Sequence, residues 1–361
     1  MPIEEEDVLS AHPAQAAAHA VARLPEQDLL ADRDAELGRQ LLQLLAQDLV
    51  SSSHGLLLTS PPGICKVAPT LAPAARAGVA GAMIKSILVA LDGSRHADGA
   101  LEHALWLAER LGARIIGLHV IDIVSIEGSF VHDVAGSLGF EPYLDFSSKM
   151  REALQERGRM LLDAFAARCE ARRIPCETVL PIGIVANEIC DQARTADLVL
   201  VGRRGVNEQF STGLLGSTTE SVTRKSPKSV LVCPAQFQEP RRPLLAYDGS
   251  SRASAAMHAA AELASALGLP LTVAHVGREG DAEAHRTMDE ARRYLASWQI
   301  EAAAKMLTGP PHQRIVDLVR DGGFDLCFIG AYGHSRIIEM VLGSTTEFVL
   351  RNAPCPVFLA R

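Results

Sequence analysis

Aromatic residues are scarce in this 361-residue chain, at 4%. Any core must therefore be built from Val, Ile, Leu and Ala. Positive charge is not in excess either, since the formal net charge is −8. A basic footprint of the kind that binds nucleic acid without sequence preference is excluded. The 7 cysteines form no C-x-x-C pair. Without clustered Cys and His there is no zinc spacing. Several stand in apolar runs such as "SVLVCP" and "FDLCFIG", as small hydrophobes in a reducing compartment do. No run is long and apolar enough for a membrane span. The nearest, "VAPTLAPAARAGVAGAM", carries two prolines and Arg76. The acidic start "MPIEEED" is the opposite of a signal-peptide n-region, which leaves the cytoplasm as the expected location. The phosphate-binding G-x-x-x-x-G-K-[ST] is also missing.

What is present is a long repeat. "GRRGVNEQFSTGLLGSTTE" (202–220) and "GAYGHSRIIEMVLGSTTE" (330–347) begin with two glycines two residues apart and end in the same "LGSTTE". The similarity extends outward. "ILVALDGS" matches "LLAYDGS", a later apolar run ends in His119-Val120 or His275-Val276, and "TADLVLVG" matches "GFDLCFIG". One unit is written twice, spanning 83–238 and 239–361. This is a domain duplication rather than a solenoid of short repeats.

Within each unit, apolar runs of strand length alternate with longer amphipathic stretches. That alternation predicts an α/β fold with a parallel sheet covered by helices on both faces. In the first unit strands are expected near Ser86–Leu91, Arg114–Ile121, Glu177–Pro181, Leu198–Val201 and Ser229–Val232. Helices are expected near Ala97–Leu111, Ser148–Arg172, Ala186–Ala193 and Ser217–Lys225. The second unit follows the same order.

Asp92 and Gly202 stand 28 positions further apart than Asp248 and Gly330. The extra residues lie after the second strand, near 122–148, and carry Phe130, Phe140, Tyr143 and Phe146. They read as a hydrophobic flap, with a pocket for an apolar ligand as the alternative. Residues 1–82 match neither unit. Leucines at 30, 37, 41, 44 and 45 mark a helical stripe, followed by a Ser-, Pro- and Ala-rich stretch of disordered composition. Met83 directly precedes the first strand. Either the natural protein starts there and 1–82 are mis-called upstream translation, or 1–82 form a regulatory tail.

The glycine loops have the chemistry of an anion site. Glycines let backbone amides approach a ligand where a Cβ would clash. Successive amides in such a turn form a nest for anions, and a helix opening at Gly216-Ser217 or Gly343-Ser344 adds its unpaired N–H groups and dipole. The dipole is worth about 0.3–1 kcal/mol to a phosphate, and each amide bond to charged oxygen about 1.5–3 kcal/mol. Ser217–Glu220 and Ser344–Glu347 also spell S-x-x-E, a capping box, so the serines have a structural alternative. In a doubly wound sheet ligands bind at the carboxyl ends of the strands, where strand order reverses. That logic brings Asp92 and Asp248 beside the glycine loop of their own unit, either to meet a ribose or adenine or simply to form an Asx-turn.

These residues resemble the universal stress proteins in their tandem form, whose nucleotide motif is G-x2-G-x9-G-[S/T]. Gly330, Gly333, Gly343 and Ser344 match it letter for letter. Gly202, Gly205, Gly216 and Ser217 match with ten residues in place of nine. The resemblance runs from about Met83 to Arg361. It implies doubly wound open parallel sheets of strand order 3-2-1-4-5, each binding ATP. Asp92 and Asp248 would meet the nucleoside and Val120 and Val276 the adenine. The glycines with Ser217 or Ser344 would hold the phosphates, usually with Mg²⁺. It also implies pairing of the two domains through their last strands, "SVLVCP" and "PVFLAR", as an intramolecular pseudo-dimer. Two such chains can then associate as a homodimer.

Neither glycine loop holds a lysine placed to draw on a γ-phosphate. His334 has Val206 as its counterpart, so it is no shared base, and His119 and His275 read as structural residues at strand ends. The leading expectation is a nucleotide-binding regulatory protein of the stress response. A slow ATPase or phosphotransferase, and a carrier of an apolar ligand in the first domain, are the alternatives. The extra residue before Gly216 and the arginines at 203 and 204 predict that the second site binds ATP well and the first more weakly or differently. Those arginines either add charge for the phosphates or face solvent.

Overall fold

The runs "SILVA", "LVLVG", "PLLA" and "LCFIG" are buried nearly throughout, as central strands of a parallel sheet with helices on both faces must be. The structure, a computed structural model, describes residues 84–123, 140–206, 215–278, 280–331 and 343–361, without the side chains of 140–147. The readings on 1–82, on most of the insertion and on Gly333 and His334 lie outside the described residues.

The first half runs β1 (Ser86–Ala90), α1 (Arg95–Leu111), β2 (Arg114–Leu118), β3 (Ile121–Asp122), α2 (Phe140–Ala171), β4 (Cys176–Val179), β5 (Ile182–Gly183), α3 (Val185–Gln192), β6 (Leu198–Gly202), α4 (Ser217–Lys225) and β7 (Ser229–Cys233). The second half follows with β8 (Pro243–Ala246), α5 (Ser251–Leu267), β9 (Thr272–Val276), α6 (Ala282–Ser297), β10 (Ala303–Leu307), α7 (Pro311–Asp321), β11 (Leu326–Gly330), α8 (Ser344–Asn352) and β12 (Val357–Ala360).

The strand order is β10-β9-β8-β11-β12-β7-β6-β1-β2-β4. Each half thus has the order 3-2-1-4-5, and every pair within a half is parallel. The expected pairing of the two halves through their last strands is observed. β7 and β12 pair antiparallel, with Val230 opposite Leu359, Leu231 opposite Phe358 and Val232 opposite Val357. The two sheets therefore join into one of ten strands. A separate ribbon of β3 and β5 was not anticipated, because two residues per strand leave no periodicity to read. The helix expected from Ser148 begins at Phe140, inside the stretch read as an insertion. Pro142 falls in its first turn, where a missing N–H costs nothing.

Two apolar layers cover the sheet. One is closed by α1, α2, α5 and α6, the other by α3, α4, α7 and α8. Matching local devices set up matching elements. Ser94 and Ser250 cap α1 and α5 by accepting from the amides of Ala97 and Ala253. Gly112 (φ 67°) and Gly268 (φ 65°) end the same helices in the left-handed conformation that favours glycine. The repeated Asp of "ADL" and "FDL" has a structural task. Asp197 accepts from the amides of Lys85 and Ser86, and Asp325 from those of Arg241 and Arg242, tying down the start of each half's first strand.

The seam between the halves is apolar. Phe328 and Phe358 stack on one face with ring centres 5.1 Å apart. His103, Trp106, Leu107, Leu231, Leu263 and Phe358 line a small cavity there. α1 comes so close to the linker that a Cβ on Gly99 would stand 2.2 Å from the carbonyl oxygen of Pro234. Cys169, Cys233, Cys327 and Cys355 are buried free thiols. Burial pushes Cys169 and Cys355 up to about 12, which keeps them as inert apolar residues.

Two outcomes follow from this seam. A fragment of residues 83–238 leaves β7 as an open edge, so it will self-associate more readily than the two-domain chain from Met83. Light scattering checks this, and a clean monomer would refute it. The second outcome concerns His103, which is 1% exposed. Its Nδ1 donates to the Gly99 carbonyl at 2.7 Å, and its Nε2 is buried without a partner. Burial lowers its pKa, opposed by the Gly99 bond and by Glu102. The folded chain binds this proton less readily than the unfolded chain, which takes it up near about pH 6.5, so stability falls as pH drops through that value. The contribution is at most ~1.4 kcal/mol per pH unit. Thermal melts from pH 7.5 to 5 should show a shallower acid slope for His103→Gln than for the native chain. Equal slopes would contradict it.

Candidate functional site

The carboxyl ends of β1 and β6, and of β8 and β11, are where strand order reverses in each half. The "DGS" turns stand at the first of these ends. Asp92 Oδ1 accepts from the Ser94 amide at 2.8 Å and Asp248 Oδ1 from the Ser250 amide at 3.0 Å. Both are Asx-turns, closed by Gly93 (φ 81°) and Gly249 (φ 77°). The Asx-turn and a ligand role are compatible, because one carboxylate oxygen serves the turn. In the first half the other points at the glycine loop: a Cβ on Gly205 would stand 2.9 Å from Asp92 Oδ2. Ser94 Oγ also donates to the Arg204 carbonyl at 3.4 Å. Asp92, Gly202, Gly205, Gly216 and Ser217 are thus brought together. In the second half Asp248 is exposed at the end of β8, beside β11 and Gly330.

The two outer glycines of each loop do different work. A Cβ on Gly202 would stand 2.7 Å from the His96 carbonyl carbon, and one on Gly330 2.6 Å from that of Arg252. These glycines let the strand end meet the first turn of the following helix, a packing need that applies whether or not a ligand is bound. Gly216 and Gly343 are the N-caps of α4 and α8, with φ near −60° and no side-chain cap. The amide of Gly216 donates to the Arg203 carbonyl at 3.0 Å and closes the first loop.

The capping-box reading of S-x-x-E is corrected here. Ser217 and Ser344 sit at the first helical position, one too late to cap, and both are exposed. Glu220 and Glu347 instead pair with Arg224 and Arg351 one turn on, at 2.5 and 2.6 Å. With glycine at the N-cap, neither helix has a side-chain cap among the described residues. The residue that does tie the helix down is the second threonine. Thr219 Oγ1 donates to the Gly202 carbonyl at 2.6 Å and Thr346 Oγ1 to the Gly330 carbonyl at 3.1 Å. The doubled "GSTTE" held that signal, but nothing local says that the partner is a carbonyl a whole loop away.

Val120 and Val276 stand at the ends of β2 and β9, one buried and one half-buried against the α3/α7 side of the core. The histidines before them are structural, as expected. His119 Nδ1 donates to the Leu91 carbonyl at 2.6 Å and His275 Nδ1 to the Tyr247 carbonyl at 2.9 Å, the same bond in both halves. The reading of Arg203 is overturned on both its branches. It faces neither phosphate nor solvent, being buried with its Nη2 on the Cys355 carbonyl of the other half at 2.9 Å. Among the described residues no group of three or more His, Cys, Asp or Glu could hold a metal ion. No described helix is long and apolar enough to cross a membrane.

Comparison with known proteins agrees with this architecture. A universal stress protein of Synechocystis is 30% identical over 287 residues, covering 77% of this chain and all of that one. One of Mycolicibacterium smegmatis is 26% identical over 294 residues, covering 76% and 96%. The crystal structure of a universal stress protein from Archaeoglobus fulgidus superimposes with a TM-score of 0.62 at 25% identity, covering 77% and 99%. The model of the universal stress protein family matches twice, over residues 83–234 and 240–361, and the chain belongs to that family in its tandem form.

Proposed function

We propose that this chain is a nucleotide-binding regulatory protein of the stress response, signalling by occupancy of its glycine loops with ATP. The observation that carries the reading is the pair of uncapped helix N-termini at Gly216-Ser217 and Gly343-Ser344, opening at the carboxyl edge of the sheet. Backbone amides without a side-chain acceptor suit phosphate oxygens, and the helix dipole favours negative charge at the same end.

On this reading Gly202, Gly205, Gly216 and Ser217 hold phosphate in the first half, and Gly330, Gly333, Gly343 and Ser344 in the second. Asp92 would offer Oδ2, the oxygen its turn does not use, to a ribose or adenine, and Asp248 would meet the nucleoside in the second half. Val120 and Val276 supply an apolar surface for the base. Mg²⁺ would neutralise the phosphates; with no cluster of acidic side chains among the described residues, its ligands would come mainly from the nucleotide. His119 and His275 spend Nδ1 on a carbonyl in both halves, which supports binding rather than proton transfer. The ten-residue spacing of the first loop ranks the second site as the tighter.

If ATP binds only the folded state, stability rises by about 2.7 kcal/mol at a hundredfold excess over Kd. A melting temperature that rises with millimolar ATP–Mg²⁺, in protein shown free of nucleotide by acid extraction, is the expected result. No rise would sink the reading. Phosphate release no faster than in Gly333→Val separates a sensor from a slow ATPase. Titration of Gly333→Val and Gly205→Val tests the ranking: the first should lose the tighter site and the second should keep it. Gly330 is unsuitable for this test, because its Cβ would strike the backbone of α5.

A further inference from the structure

Arg203 is a buried cation without a carboxylate. It is 9% exposed, and among the described residues no acid pairs with it. Its Nη2 reaches the Cys355 carbonyl, while its Nε is buried without a partner. Burial lowers its pKa. One bond to a neutral carbonyl does not offset the removal of a guanidinium from water, so an apolar residue of similar volume would serve stability at least as well. Something other than stability is served by an arginine here.

Its backbone shows what. Arg203 belongs to the first glycine loop, between Gly202 and Gly205. Its N–H donates to the Cys233 carbonyl at the end of β7, at 2.8 Å, and its carbonyl accepts from Gly216, the N-cap of α4, at 3.0 Å. A single residue therefore touches the last strand of its own half, the helix that closes the loop, and the other half. A second contact crosses the seam the other way. Arg361 Nη2 donates to the Thr223 and Arg224 carbonyls in the last turn of α4, and the Arg361 amide donates to Ser229 Oγ. Both ends of α4 are thus linked to the second half. The second loop is built differently, since Ala331 occupies the position of Arg203 and has no side chain to reach across.

We infer that Arg203 is a positioning residue that tethers the first glycine loop to the second half, so that the order of the first loop, and its affinity for an anionic ligand, depend on the β7–β12 seam. Among the described residues of the second loop, Ala331 at the matching position offers no such side chain. The loop-ordering part stands on geometry alone; the ligand part rests on the nucleotide reading above. By linkage, a ligand that orders the first loop also strengthens the Arg203–Cys355 contact.

The test uses the full chain and the variants Arg203→Met, which keeps volume without donors, and Arg203→Lys, which keeps a charge and one reachable donor. Amide hydrogen exchange is followed at Gly205, Gly216 and Ser217, without nucleotide. Arg203→Met should speed these amides about tenfold, with β11, β12 and the melting temperature unchanged, and Arg203→Lys should fall between. With ATP, Arg203→Met should weaken the first site about tenfold and leave the second. Unchanged exchange at the loop overturns the inference. So does uniform acceleration with a lower melting temperature, which would make Arg203 a purely structural residue. Loop loosening in a chain that binds no ATP upholds the tether and removes the nucleotide reading instead.

Discussion

The antiparallel pairing of β7 with β12 is the contact on which the rest of this architecture depends. Each half is an open sheet whose last strand would present a row of unpaired N–H and C=O groups. Joining the two rows satisfies both edges at once and leaves β4 and β10 as the outer edges. Those outer strands are short and largely exposed, with Glu177 and Lys305 among their residues. The join also lets the apolar layers run continuously across the seam, where Leu231 lies opposite Phe358. Because parallel strands must be buried on both faces, α1 and α5 have to meet over this line. Beside that line α1 also presses on the linker after β7, at Gly99 against the Pro234 carbonyl.

The seam lies near both candidate sites. β6 and β11, which deliver the two glycine loops, are the immediate neighbours of β7 and β12. A loop that springs from a strand next to an interface is well placed to feel that interface. In the first half this is realised through Arg203. In the second half the same position is an alanine, and α8 is tied to the end of β11 by the Thr346 bond to Gly330.

The repeated motif does structural and chemical work with the same letters. Gly202 and Gly330 are needed for helix packing, Thr219 and Thr346 for holding the helix to the strand, and Asp197 and Asp325 for starting the sheet. Outside these tasks stand the serines after the N-cap glycines and the second oxygen of Asp92. That division separates residues any copy of the fold requires from those the proposed function assigns to a ligand.

Much of this was legible in the sequence. Duplication, the alternation of buried runs with amphipathic helices and the turns at Asp92 and Asp248 depend on local pattern, while the order 3-2-1-4-5 and the pairing of the last strands were implied by the family resemblance. Strand Ser229–Cys233 ends close to where its apolar run does. What the sequence could not decide were contacts set by distance in space rather than along the chain. S-x-x-E reads as a capping box, yet Gly216 takes the cap, and Glu220 finds Arg224 within reach. Two adjacent arginines read as phosphate ligands or solvated charge, yet the fold of the other half puts a carbonyl from residue 355 beside one of them. The sequence by itself determined the two sheets and their glycine loops, because strand burial and turn chemistry are local. Only the tertiary structure decided the antiparallel register in which β7 meets β12 and that Arg203 belongs to the seam, because both depend on which edges and carbonyls meet across 120 residues or more of chain.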